Sequence, residues 1–233
     1  GLPYEGRGLG PMASKAGDGG TRMMTLMTPE SRGLTKQPNF AKRARALSIT
    51  LTNPAKAVAL FNDGYADVLL GGKIDTVPLA GRIGLTRGNV QLDPVTGLFG
   101  LVVEQGDGFL ADAANREALA MAIDRDALLA SFNIGGWQST TRIVSADVED
   151  DLGTIGERWQ GMDVDQRRSQ ASARVAAWKG AGRALPTLNI AMPDGPGSSL
   201  VFDALRDGFA RIGVAIRRVP ESGRGDLRLI DVT

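Results

Sequence analysis

Apolar and polar residues alternate through Leu47-Ser48-Ile49-Thr50-Leu51, a period of two that predicts a strand with one apolar face. Asn53-Pro54 follows, an N-cap residue and a proline suited to the first helical position. Ala57, Val58, Leu60 and Phe61 then predict a helix that stops at Asn62-Asp63-Gly64. The apolar run Ala66 to Leu70, closed by Gly71-Gly72, reads as a short covered strand, so the segment predicts a βαβ unit with parallel strands. A second βαβ unit is predicted near the end of the chain. Leu188, Ile190 and Met192 alternate, Ser198 or Ser199 can cap a helix, and Val201, Leu205, Phe209 and Ile212 recur at helical spacing. Gly213 stands where a helix would end, and Val214-Ala215-Ile216 opens the next strand.

Between these units, Leu98 to Val103 is an apolar run bounded by Gly97 and the Gly-rich turn 105–108, the pattern of a covered strand. Asp112 is a candidate N-cap for a helix carrying Leu119, Ala122 and Ile123. Asp124 caps a second one through Ala127, Leu128 and Phe132. Val164 to Lys179 predicts a helix with Ala171, Val175 and Trp178 on one side, and Asp226 to Val232 predicts a last strand.

Composition narrows the chemistry. The 233 residues are 42% hydrophobic, enough for a sizeable core, and 27 basic residues nearly balance 26 acidic ones. The basic clusters are small, so no nucleic-acid partner is expected. No histidine or cysteine is present, which removes imidazole bases, thiolate nucleophiles, disulfides and most zinc or iron sites. No G-x-S-x-G elbow occurs, so no catalytic residue, cofactor or protein-bound metal is expected. No apolar run reaches the roughly 20 residues of a membrane span. Gly6 to Pro11 resembles a phosphate loop only superficially, because no strand precedes it. Carboxylates gather at Glu149-Asp150-Asp151, a pattern without the alternation of a calcium loop, and the simplest reading is a solvated loop.

Three positions stand out as candidate ligand contacts. Trp137 follows Gly135-Gly136, where an aromatic ring can project and pack on a ligand, or simply pack on the core. Gly71 and Gly72 close a predicted strand at the end where α/β sheets bind ligands, and are equally ordinary turn glycines.

The segment Leu98 to Ala130 resembles a passage of the extracellular solute-binding proteins of family 5, the dipeptide, oligopeptide and nickel receptors of bacterial ABC importers. Arg116, Ala118, Leu119, Ala122, Ile123, Asp124 and Arg125 stand at the places of that family's "RqAl..AiDr" pattern. Gly8 to Met12, Phe61 to Gly72 and Phe202 to Val219 are similar to further stretches of it. The resemblance implies an α/β fold of the periplasmic-binding-protein class II, with parts of two lobes joined by hinge strands. Residues 1–103 would be a partial first lobe, 104–225 the second lobe, and 226–233 a strand returning to the first. It further implies capture of a peptide or similar small solute in an interlobe cleft, delivery to an inner-membrane ABC permease, and a periplasmic location. Full-length members are longer and the chain starts Gly-Leu-Pro, so a fragment with a signal peptide upstream is expected. Peptide-binding members hold the ligand's ammonium group with an aspartate near the returning strand, which points to Asp231; a surface strand-end aspartate is the plainer alternative. Direct nickel ligation is disfavoured without histidine, whereas a chelated metal stays open. Two other classes remain: a hydrolase-like α/β enzyme, and the ligand-sensing domain of a regulator.

Overall fold

The computed structural model describes residues 10–84, 90–91, 97–134, 137–143, 156–185 and 187–232. The chain divides into two compact units at Leu60/Phe61.

In the first unit, β1 (Met12–Ala16), β2 (Thr21–Leu26) and β3 (Leu47–Thr50) form an antiparallel sheet in the order β1-β2-β3. A four-residue helix, α1 (Phe40–Arg43), lies between β2 and β3. The register pairs Met12 with Leu26 and Met24 with Leu47, which puts these apolar residues on one face. That face is only partly covered: Met12, Met24 and Leu26 are half-buried, Leu47 and Ile49 are 55% and 47% exposed, and no described residue of the sheet joins the buried core. Helix α2 (Pro54–Asn62) starts as its sequence predicts, with the Lys56 N–H donating to Asn53 Oδ1 at 2.9 Å.

The expected partner strand at Ala66 to Gly72 does not form. That run lies outside any strand, with Val68 and Leu70 68% and 86% exposed, and β3 pairs antiparallel with β2 instead. An apolar run becomes a strand only where a neighbouring strand pairs with its backbone groups, and this run joins neither sheet. The first βαβ unit is therefore corrected.

The second unit holds the core. Strands β4 (Leu98–Val103), β5 (Thr187–Met192), β6 (Ala215–Pro220) and β7 (Leu227–Val232) form one mixed sheet in the order β4-β7-β5-β6. β5 runs parallel to both β6 and β7, and β4 runs antiparallel to β7 from Leu98↔Val232 to Val103↔Leu227. The segments on either side of the expected crossings near 103 and 226 thus lie side by side in one sheet. Arg228 and Glu104 reinforce the β4–β7 pair with a two-pronged ion pair, which holds the Glu104 carboxyl below the usual carboxylate range.

Helices α3 (Ala113–Ala122), α4 (Arg125–Phe132), α5 (Val164–Gly180) and α6 (Pro196–Arg211) complete the unit. Asp112 accepts from the Ala114 N–H at 2.8 Å and Asp124 from the Ala127 N–H at 3.1 Å. Asp163 and Gln166 form a reciprocal capping box. Ala118, Leu119, Met121 and Ala122 of α3, Ala171 and Val175 of α5, and Val201, Leu205 and Phe209 of α6 meet Leu188, Ile190 and Met192 of β5 in one buried cluster. The β5-α6-β6 unit matches its pattern, except that α6 starts at Pro196 with Gly195 as its N-cap. Neither Ser198 nor Ser199 caps it. The helix ends as predicted: Gly213 has φ +82°, and the Val214 N–H returns to Phe209 O at 2.9 Å.

Two residues that carry the family resemblance have structural partners. Arg116 donates to Leu110 O at 2.7 Å and Ala111 O at 2.8 Å, closing the 3-10 turn Gly108–Ala111. Arg125 donates to Ala120 O at 3.0 Å across the α3–α4 junction.

Candidate functional site

Three of the four sequence-predicted contacts lie around one loop. Gly71 and Gly72 have φ of +87° and +115°, a region that glycine enters freely, and they deliver the chain into a turn at Lys73–Thr76. The Thr76 N–H donates to Lys73 O at 3.0 Å, and Thr76 Oγ1 accepts from the Lys73 N–H at 3.1 Å. The turn is anchored at three points. Ile74 inserts its side chain into the main core. Its N–H donates to Asp231 Oδ2 on β7 at 3.0 Å. The Gly197 N–H at the start of α6 donates to Asp75 O at 2.8 Å.

Glycines make the last contact feasible. A Cβ on Gly197 would sit 1.8 Å from Ile74 O, and one on Gly195 would sit 2.5 Å from Asp75 O. The Gly-Pro-Gly-Ser-Ser run at 195–199 is thus a docking surface for backbone as well as a helix start.

Electrostatics single out Asp75, which sequence reasoning missed. Burial pushes its carboxyl above the ordinary value, against hydrogen bonds from its own N–H and that of Thr76; the charge of Asp231 adds to the rise and Lys73 opposes it. Asp75 Oδ1 is buried without a hydrogen-bond partner, and so is Ser198 Oγ in the first turn of α6. A strand end, a glycine-led loop and a helix start thus bring two carboxylates together beside unsatisfied polar atoms. Such a place favours a positively charged group over an anion.

Trp137 has a different setting. Its ring packs on Phe132 with centroids 5.6 Å apart and planes at 58°, partly buried against the core of the second unit. Trp178 makes an edge-on contact with Phe109 at 5.6 Å. Gly6 to Leu9, Gly135-Gly136 and Glu149-Asp150-Asp151 lie outside the described residues. Among the described residues no group of three or more acidic side chains is placed to hold a metal ion, and no helix is long and apolar enough to cross a membrane.

No family model matches the sequence, and no curated protein matches it either. Solved structures do. The periplasmic EDTA-binding protein EppA superposes with a TM-score of 0.69 at 17% identity, over 96% of this chain and 46% of its own. The Escherichia coli murein tripeptide binding protein MppA gives 0.68 at 16%, over 95% of this chain and 44% of its own. NikA from Brucella suis, solved with Fe(III)-EDTA, gives 0.67 at 15%, over 96% and 47%. The chain has the α/β fold of these periplasmic binding proteins, the fold that its family-5 resemblance implies. It spans under half the length of each of the three.

Proposed function

We propose that this chain is part of the solute-binding component of an ABC importer, located in the periplasm and working with an inner-membrane permease. The observation that carries the reading is the superposition on binding proteins along 95–96% of the chain. The local residue pattern at Arg116 to Arg125 supports it independently. The expected lobes, 1–103, 104–225 and 226–233, belong to this proposal, with the paired strands β4 and β7 as the connection between them. The absence of histidine and cysteine fits a protein that binds its solute without covalent chemistry.

The ligand wall in this proposal is the loop at Gly71 and Gly72 together with Asp231. Structural neighbours include binders of a murein tripeptide and of EDTA complexes. The two carboxylates at 75 and 231 favour the former kind of solute, a peptide or peptide-like compound with an ammonium group, over a free polyanionic chelator. Thermal-shift screening of the longer parent protein against peptides, amino acids and metal chelates tests this. Peptides that raise the melting temperature of the wild type, and less so of Asp231→Asn, support the reading. A shift with anionic chelates alone would remove the peptide assignment, and no shift with any solute would remove the binding role.

A further inference from the structure

A second polar site lies between the starts of α4 and α5, in a concavity of about 260 Å³ to which no residue of the 71–77 loop, nor Asp231, contributes. Its walls include Arg125, Asp126, Glu157, Arg158, Trp159 and Arg167, three guanidinium groups against two carboxylates.

The carboxylates are bound by neutral donors. Ser139 Oγ donates to Asp126 Oδ1 at 2.6 Å. Thr140 Oγ1 donates to Glu157 Oε1 at 2.5 Å, and the Thr141 N–H and Oγ1 donate to Glu157 Oε2 at 2.6 and 2.5 Å. Arg158 is paired with Glu117, which also accepts from Arg174 and from Trp159 Nε1 at 3.2 Å. Arg125 and Arg167 form no close ion pair among the described residues, although the charges of Glu157 and Asp126 act on Arg125. Arg125 spends one N–H on Ala120 O and lies 5.9 Å from the centre of the Trp159 ring. Arg167 Nε is buried and makes no hydrogen bond. Burial first, and the neighbouring charge of Arg167 second, push the Arg125 guanidinium below its ordinary pKa, against the opposing charges of Glu157 and Asp126. Trp159 itself takes φ +55°, a left-handed conformation that a bulky residue rarely adopts.

We propose that this concavity binds a small oxyanion, a phosphate or carboxylate group, between the Arg125 and Arg167 guanidiniums with the Trp159 ring as one wall. An oxyanion supplies the acceptor that Arg167 Nε lacks and relieves the repulsion between the two neighbouring guanidiniums. The planar guanidinium fork matches its geometry. This site is separate from the solute-binding reading and stands or falls apart from it.

Isothermal titration of the full chain with inorganic phosphate, and separately with acetate, at low ionic strength tests the proposal, with Trp emission followed in parallel. The expected result is saturable binding of at least one anion, weakened about tenfold or more by Arg167→Gln and by Arg125→Lys, which keeps the charge but loses the fork. Arg206→Gln, on α6 and paired with Asp203, leaves it unchanged. Binding of phosphate alone assigns a phosphorylated ligand, and binding of acetate assigns a carboxylate. Absence of saturable binding with both anions would overturn the proposal. So would wild-type affinity in an Arg167→Gln protein shown by circular dichroism to be folded.

Discussion

The Ile74 N–H donates to Asp231 Oδ2 across 157 residues of sequence, tying the glycine-led loop to the last strand. Ile74 is buried, so the bond satisfies a backbone donor with no ready access to water. Asp231 is thereby a residue that positions the 71–77 loop, whatever else it touches.

Asp231→Ala and Asp231→Asn separate the two roles. The alanine variant leaves the Ile74 N–H unpaired and is expected to cost about 1–3 kcal/mol. The asparagine variant keeps a carbonyl acceptor at the same place and is expected to cost clearly less. Urea midpoints at constant slope check this. Equal losses in both variants would mean that the negative charge, rather than the hydrogen bond, holds the loop.

Asp75 sets a pH dependence of known sign. Its folded-state pKa is raised, so the folded protein binds a proton more readily there than the unfolded chain does. The penalty for its charged form is fully present above the folded pKa and disappears as pH falls toward the ordinary value of 3.8. Asp75→Asn is thus expected to be more stable than the wild type at neutral pH, with the gap closing as pH falls into the carboxylate range. Paired denaturation curves at several pH values measure it. A gap that widens on acidification would show that Asp75 is stabilised as the carboxylate.

Glu117 acts in the opposite direction. Burial alone would raise its carboxyl pKa, but hydrogen bonds from Arg174, Arg158 and Trp159 together hold it below the ordinary 4.5. Its contribution is present above the unfolded value and is lost as pH falls through the folded one. Glu117→Gln is expected to flatten the acid limb of the stability profile and to release Arg158 toward the oxyanion site. NMR titration of the Glu117 carboxyl checks the shift directly, and an ordinary value would remove this prediction.

Gly197→Ala is expected to destabilise by roughly 1–3 kcal/mol, because its Cβ would overlap Ile74 O and the loop would have to lift from α6. Gly180→Ala is the control. Its Cβ meets nothing within 4 Å at the end of α5, and the change is expected to be neutral or slightly stabilising. Thermal melts of both variants distinguish a steric requirement from a general intolerance of substitution.

The present chain is expected to bind peptides more weakly than a longer parent. A cleft that takes contacts from two lobes loses affinity when one wall is incomplete, and the loss of about 3–4 kcal/mol turns a micromolar site into roughly a millimolar one. Titration of both proteins with the same peptides checks this. Equal affinity would place the whole site within these 233 residues.

Local signals along the chain were enough for most of the second unit. Asp112, Asp124 and Asp163 start helices in the structure because an aspartate before an apolar period satisfies free N–H groups by itself, without help from distant residues. Gly213 ends α6 for an equally local reason, and alternation at Leu188, Ile190 and Met192 marks β5, whose side chains the helices bury while β6 and β7 pair its two edges. The run Ala66 to Gly72 carried the same strand signal and formed none. Leu47 and Ile49 formed a strand but found no cover in the first unit, since pairing and burial depend on which distant segment arrives. The site divides in the same way. Gly71, Gly72 and Asp231 were legible as types suited to a turn and to an ammonium group. The role of Asp75, the contact of Ile74 with Asp231 and the approach of the arginines at 125 and 167 were not. These follow from desolvation and from partners far apart in the chain, and only tertiary packing decides both.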